Sequence, residues 1–237
     1  IAGDLIGDIK RTLRKKNSFL ILWLTLMTTI SPHYRTFNDD GASPQISLLD
    51  FNDSFTFNIA SNLFDLGASF RIVKFEQISE FLTNSLNQGK RHVFIYGPGP
   101  GRPDDYRSFF PKIEKLLEDK NCFHLGVCLG HQILWKIKGA NIERSLNPLH
   151  GQSVNIKIPH WEGLFPKKFW SKEVIVQRYN SLAVKDNGEK DNVLYDGNRE
   201  MLMGHFERTL TYQFHPESIG TSFPPLFFGP VSHFLYN

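Results

Sequence analysis

Gly126-Val127-Cys128-Leu129-Gly130 lies where an apolar run, Phe123 to Val127, gives way to a helix-like one. This junction limits the fold more than any other feature of the chain. Its Gly-x-Cys-x-Gly form is the cysteine analogue of the Gly-x-Ser-x-Gly nucleophile elbow, a sharp strand-to-helix turn. A turn of this kind exposes the Cys128 thiol and sets it at the positive end of a helix. Both conditions favour a reactive thiolate. An isolated free cysteine is most often a buried packing residue. The two flanking glycines and a second motif far downstream reverse that reading.

The second motif is Gln213-Phe214-His215-Pro216-Glu217-Ser218. Proline has a fixed φ and biases its predecessor toward extended backbone. In an extended segment residues i and i+2 point the same way. Glu217 is therefore expected to reach back to His215 and fix its tautomer, the orienting role in a Cys-His-acid triad. Taken alone, His-Pro-Glu would be a solvated turn. A third motif, Tyr96-Gly97-Pro98-Gly99-Pro100-Gly101, follows the apolar run His92 to Ile95. Glycines at the end of a buried strand let backbone N–H groups approach a ligand. A dinucleotide loop fails on spacing, because Gly-x-Gly-x-Gly is not Gly-x-Gly-x-x-Gly, and no Gly-Lys-Ser/Thr phosphate loop is present. The loop reads instead as an oxyanion hole for acyl transfer.

Composition narrows the alternatives. With 237 residues the chain has room for one sizeable core plus an extension. A net charge of +3 is too mild for an electrostatic nucleic-acid footprint. The two cysteines, Cys122 and Cys128, do not make a disulfide framework. Cys122 reads as core, and a working thiolate fits a reducing, cytoplasmic compartment. The histidines are scattered, with no metal-ligand spacing, so no cofactor is expected in this domain.

Residues 1–44 stand apart as an N-terminal helical extension and polar linker. Leu5, Ile9 and Leu13 fall at helical spacing, a basic cluster from Lys10 to Lys16 follows, and then comes the apolar run Phe19 to Met27. That run is shorter than the roughly 20 residues of a membrane span, and no small-residue cleavage site follows it. A membrane role is not expected. Because the chain opens on Ile1, residues 1–44 can be read as the tail of an upstream synthase domain or a docking helix. An ordinary helix packed on the domain's own core is the rival.

From Gln45 to Asn237 strand and helix signals alternate. Strands are expected at 46–49, 70–73, 92–96, 123–127, 154–158, 174–176, 193–195 and 210–214. Helices are expected up to Leu66, with Asp53 or Ser54 as N-cap and Gly67 as the stop, near 105–119, and after the elbow to Lys138. The pattern predicts an α/β domain: a central, mostly parallel sheet flanked by helices, with each motif at the carboxyl end of a strand.

With the three motifs in this order, residues 45–237 resemble the class I (triad type) glutamine amidotransferases. Leu49-Asp50-Phe51-Asn52-Asp53-Ser54-Phe55-Thr56 is similar to the first-strand signature of the chorismate-using members, the small subunits of anthranilate synthase and aminodeoxychorismate synthase. His150-Gly151-Gln152-Ser153 and Arg178-Tyr179-Asn180-Ser181-Leu182 resemble two further family segments. The resemblance implies a flavodoxin-like fold and a glutaminase that passes ammonia to a chorismate-binding synthase, fused or separate, to which any Mg²⁺ would belong. It makes Cys128 the nucleophile, His215 the general base and acid, and Glu217 the orienting carboxylate. The N–H groups of Gly99 and Leu129 would form the oxyanion hole, and Gln132 with the Ser181-Leu182 backbone would hold the glutamine. Tyr96 stands where a serine is common, Gln152 where a lysine is, and Thr211-Tyr212 where Gly-Val is. Two rivals remain open: a stand-alone γ-glutamyl hydrolase of the same fold, and a non-catalytic regulatory module.

Overall fold

The computed structural model describes residues 35–37, 45–86, 89–185, 188 and 192–236. The expectations for residues 1–34 and 38–44 lie outside the described residues. Within the expected polar linker, Arg35–Phe37 is instead a short strand, β1. It pairs antiparallel with the second strand of the domain, Phe70–Val73.

The remaining elements run in chain order as β2 (Ile46–Leu49), α1 (Thr56–Asp65), β3 (Phe70–Val73), α2 (Phe75–Ser85), β4 (His92–Tyr96), a 3₁₀ turn (Pro103–Phe109), α3 (Phe110–Glu118), β5 (Cys122–Val127) and α4 (Leu129–Ile137). Then follow β6 (Ile142–Arg144), β7 (Gln152–Lys157), β8 (Glu173–Arg178), β9 (Leu182–Val184), β10 (Val193–Tyr195), β11 (Met201–Phe206), β12 (Thr209–Tyr212) and α5 (Pro224–Tyr236). Eight strands form one sheet in the order β1-β3-β2-β4-β5-β12-β11-β10. Strands β3, β2, β4, β5 and β12 are mutually parallel, and β1, β11 and β10 extend the edges antiparallel. The mostly parallel sheet is thus as expected. β7 pairs with β8 and β6 with β9 as separate two-stranded ribbons.

Why the central strands read as unbroken apolar runs follows from burial on both faces. On one face Ile46, Leu48, Val93, Ile95, Leu125 and Val127 pack with Ile59 and Leu63 of α1 and Phe227, Phe228 and Val231 of α5. On the other, Leu49, Phe94, Tyr96 and Cys122 pack with α2, α3 and α4. The period-2 alternation of a strand divides these residues between the two helical layers. Cys122 is buried, as expected of a core residue, and burial together with Asp119 pushes its thiol up to about 12.

Some local expectations are corrected. Thr56 begins α1, and Phe55 is its helical N-cap with no side-chain cap. Asp53 acts one residue earlier, its carboxylate accepting the Phe55 N–H at 2.8 Å. The last central strand ends at Tyr212, so His215 lies beyond it. Helices α2 and α5 and strands β6, β9 and β11 are additions to the elements expected from the sequence.

Candidate active site

The carboxyl ends of β2, β4, β5 and β12 share one edge of the sheet, and the three motifs leave from that edge. At the elbow, Cys128 has φ +53° and ψ −102°, a left-handed backbone that is rare for a residue with a side chain. Such outliers persist only where the surroundings impose them. The Cys128 N–H donates to the Tyr212 carbonyl at 2.8 Å, and the Gly130 N–H to the Gly97 carbonyl at 3.2 Å. Both flanking glycines are required by contact. A Cβ on Gly126 would fall 2.8 Å from the Gly130 carbonyl carbon, and one on Gly130 would collide with the Tyr96 carbonyl oxygen. The half-buried Cys128 thus heads α4, as the motif predicted.

His215 is fixed from the opposite side. Its N–H donates to the Gln177 carbonyl at 2.8 Å, and its carbonyl accepts the Thr221 hydroxyl at 2.7 Å. After this bridge to β8 the chain turns, with the Ser218 N–H returning to the His215 carbonyl. Glu217 therefore reaches His215 within a turn, not along an extended segment. The contact itself is as expected: His215 Nδ1 to Glu217 Oε1 is 2.7 Å, with both side chains at most 3% exposed. Burial alone would lower the imidazole pKa. The Glu217 carboxylate and the Cys128 sulfur outweigh burial and hold it well above the ordinary value. The other ring nitrogen, Nε2, is buried with no nitrogen or oxygen partner among the described residues, which leaves the Cys128 sulfur as the polar group acting on it. Phe55 and Tyr179 enclose the ring at centroid distances of 4.8 and 5.0 Å.

The expected oxyanion residues adjoin each other. A Cβ on Gly99 would lie 2.5 Å from Leu129 Cδ2 and 2.7 Å from Phe51 Cβ, so this position admits only glycine without rearrangement. Gln132 donates from Nε2 to the Leu182 carbonyl at 2.9 Å and to Gln213 Oε1 at 3.0 Å. The structure thus joins Gln132 to Leu182, while the neighbouring Ser181 carbonyl accepts the Ser145 N–H. Gln213 Nε2 in turn lies 3.8 Å from Cys128 Sγ. The sequence pattern assigns no role to Gln213, Phe55 or Tyr179. Their signal was adjacency, since Gln213 opens the His-Pro-Glu motif and the two aromatics lie in the other recognised segments. Among the described residues no group of His, Cys, Asp and Glu could hold a metal ion, and no helix is long and apolar enough to cross a membrane.

Residues 47–229 match the family model of glutamine amidotransferase class-I. The chain belongs to the class I glutamine amidotransferase family. It is 33% identical over 181 residues to the pyocyanine-specific anthranilate synthase component 2 of Pseudomonas aeruginosa, covering 75% of this chain and 88% of that protein. It is 31% identical over 180 residues to anthranilate synthase component 2 of Saccharolobus solfataricus, covering 74% and 91%. Among solved structures, a glutamine amidotransferase from Thermotoga maritima shares the fold at a TM-score of 0.56 and 16% identity, over 73% of this chain and 75% of that one.

For this amidotransferase the departures from the family pattern acquire physical reasons. Tyr96 is fully buried, and its hydroxyl meets His124 Nδ1 at 3.0 Å. Thr211 Oγ1 accepts the Trp135 indole N–H at 2.9 Å and donates to the Gly204 carbonyl at 2.9 Å. The Tyr212 hydroxyl donates to the Phe227 carbonyl at 2.9 Å. Gln152 is exposed on β7 opposite Arg178.

Proposed function

We propose that this protein hydrolyses the side-chain amide of glutamine and delivers the ammonia to a chorismate-binding synthase partner, as the glutaminase half of an anthranilate synthase. One observation carries the reading: Glu217 holds His215 at 2.7 Å through Nδ1, and the buried Nε2 has no nitrogen or oxygen partner among the described residues, which leaves it for the Cys128 sulfur. A base held in one tautomer beside a strained cysteine is what acyl transfer needs. The names of the relatives favour the anthranilate pathway over aminodeoxychorismate.

In this mechanism the Cys128 sulfur attacks the amide carbon. Negative charge collects on the amide oxygen and is met by the N–H groups of Gly99 and Leu129. Loss of one such donor typically costs about 10²–10³ in rate. His215 gives a proton to the leaving nitrogen, the C–N bond breaks, and ammonia departs. Water then attacks the γ-glutamyl thioester with His215 as base, releasing glutamate and restoring the thiol. Gln132 with the Ser181-Leu182 segment holds the glutamine head. Ammonia released into water would be protonated and lost as a nucleophile, so a closed path to the partner belongs to this reading. So does a cytoplasmic, reducing location. Any Mg²⁺ belongs to the partner's chemistry.

Cys128→Ala, assayed with an anthranilate synthase large subunit, tests this. Glutamine-dependent product should fall on the order of 10⁴-fold or more, while synthesis from supplied ammonia persists. Glutamine-dependent turnover close to wild type would refute the assignment.

A further inference from the structure

A run of hydrogen bonds leads from the Cys128 sulfur into the buried interior, and its polarity is fixed from the inner end. Arg178 has only donors to give. Its Nε donates to Asn180 Oδ1 at 3.0 Å. The amide nitrogen of Asn180 must then face the other way, and it donates to the Leu182 carbonyl at 2.9 Å. That carbonyl can only accept, so Gln132 must present Nε2 to it, at 2.9 Å. The second hydrogen of Gln132 Nε2 points to Gln213, which must answer with its oxygen, at 3.0 Å. Gln213 is left with its nitrogen toward Cys128 Sγ, at 3.8 Å. Amide orientation is ordinarily an assignment. Here a guanidinium and a backbone carbonyl allow only one.

We propose that Gln213 is a catalytic residue that donates its amide N–H to the Cys128 sulfur, and that Gln132, itself fixed by the Leu182 carbonyl, is the positioning residue that prevents this amide from turning over. An N–H donor favours an anionic sulfur over a neutral thiol, since hydrogen bonds to charged groups are the stronger ones. The same donor holds the sulfur at one place on the elbow. His215 and Gln213 then divide the work: the imidazole moves the proton, and the amide steadies the sulfur that has lost it. Gln213 is fully buried, so water cannot replace it.

The inference rests on the glutaminase reading, and its test separates the two. Gln213→Glu keeps the shape and can still accept from Gln132, but it has no N–H for the sulfur. Alkylation of Cys128 by iodoacetamide at neutral pH should slow on the order of ten- to a hundredfold, the range of a charged hydrogen bond. The deficit should close in strong alkali, where thiols ionise unaided. Glutamine kcat should fall by a similar factor with KM within about threefold. Gln213→Met removes the donor without burying a charge and should slow alkylation in the same way, so it carries the test if the glutamate variant does not fold. Thermal unfolding establishes folding in each case. A folded variant that alkylates at the wild-type rate at neutral pH overturns the role of Gln213. Wild-type protein that alkylates normally but forms no glutamyl thioester, with or without a synthase, overturns the glutaminase reading and leaves the Gln213 result standing.

Discussion

Two clusters of buried charge stand among the described residues, and they are satisfied to different degrees. Around Glu200, which is fully buried, every carboxylate oxygen is engaged. Oε1 meets Lys185 Nζ and the Leu146 N–H, each at 2.7 Å, and Oε2 meets the Ser145 hydroxyl at 2.7 Å and Arg178 at 3.5 Å. Arg178 adds a 2.9 Å pair with Asp196, whose other oxygen accepts the Glu200 N–H. At the site, His215 and Glu217 share one bond, and both His215 Nε2 and Glu217 Oε2 are left buried with no nitrogen or oxygen partner among the described residues. An unsatisfied buried polar atom costs about 1–3 kcal/mol. The first cluster holds a shape. The second leaves open the atom that, in the proposed mechanism, exchanges a proton with substrate. That difference separates framework from chemistry more sharply than burial, which is alike in both.

Glu217→Gln attacks the unsatisfied cluster and has the larger expected effect of the two cluster variants. The amide leaves room for the ring but no longer favours the charged imidazole. Glutamine hydrolysis should drop by about 10³–10⁴, the scale for losing the orienting acid of a triad. Its effect on stability has a definite sign. His215 is held above its ordinary value of 6.5, so the pair's contribution is fully present below pH 6.5 and is lost as pH rises through the raised folded value. The melting difference between wild type and Glu217→Gln should be greatest in mild acid and shrink in alkali. A difference that grew with pH would remove Glu217 as the source of the shift.

Arg178→Met attacks the satisfied cluster, and here stability should suffer first. Removing one partner of a buried ion pair costs about 3–5 kcal/mol. Burial works to raise the Glu200 pKa, but Lys185, Ser145 and the Leu146 N–H lower it overall. The framework's contribution is therefore present above the ordinary value of 4.5 and is lost as pH falls through the depressed folded one. Urea unfolding at neutral pH should show the full deficit, and the deficit should narrow in acid. Activity per folded molecule should fall far less than in Glu217→Gln. Equal losses of activity would erase the distinction between the clusters.

The unsatisfied cluster was legible in the sequence, and the satisfied one was not. His215 meets Glu217 two residues on, and Gly126, Cys128 and Gly130 shape a single five-residue turn, so spacing carries the geometry within each motif. Glu200 bonds to Ser145 and Leu146 more than fifty residues away, and Gln132 to Gln213 at a separation of 81. No local pattern encodes such pairs. Helix α2 did carry a signal, with Ile78, Phe81, Leu82 and Ser85 buried at helical spacing, but it is only eleven residues long. Helix α5 opens on Pro224-Pro225 and contains Pro230, which reads as a break. Tertiary packing of Phe227, Phe228 and Val231 overrides that signal. The short β1 exists through its ladder with β3, a partner that the surrounding polar residues do not announce.

Thr211→Val makes the smallest change and tests whether the departures from the family pattern are framework. The threonine hydroxyl is simultaneously acceptor for the Trp135 indole and donor to the Gly204 carbonyl, and all three groups are buried. Valine matches its shape and leaves both partners unsatisfied. A Cβ added to Gly204 would lie 2.6 Å from the Trp135 ring, so the indole packs directly on β11 with little room to seek another acceptor. The urea midpoint should therefore fall by the equivalent of about 1–3 kcal/mol. Glutamine hydrolysis should hold near wild type, because Thr211 lies on β12 before the chain reaches Gln213. A large loss of activity in a stably folded Thr211→Val protein would mean that β12 transmits strain to the site. The line between framework and chemistry would then have to be drawn one strand further from Cys128.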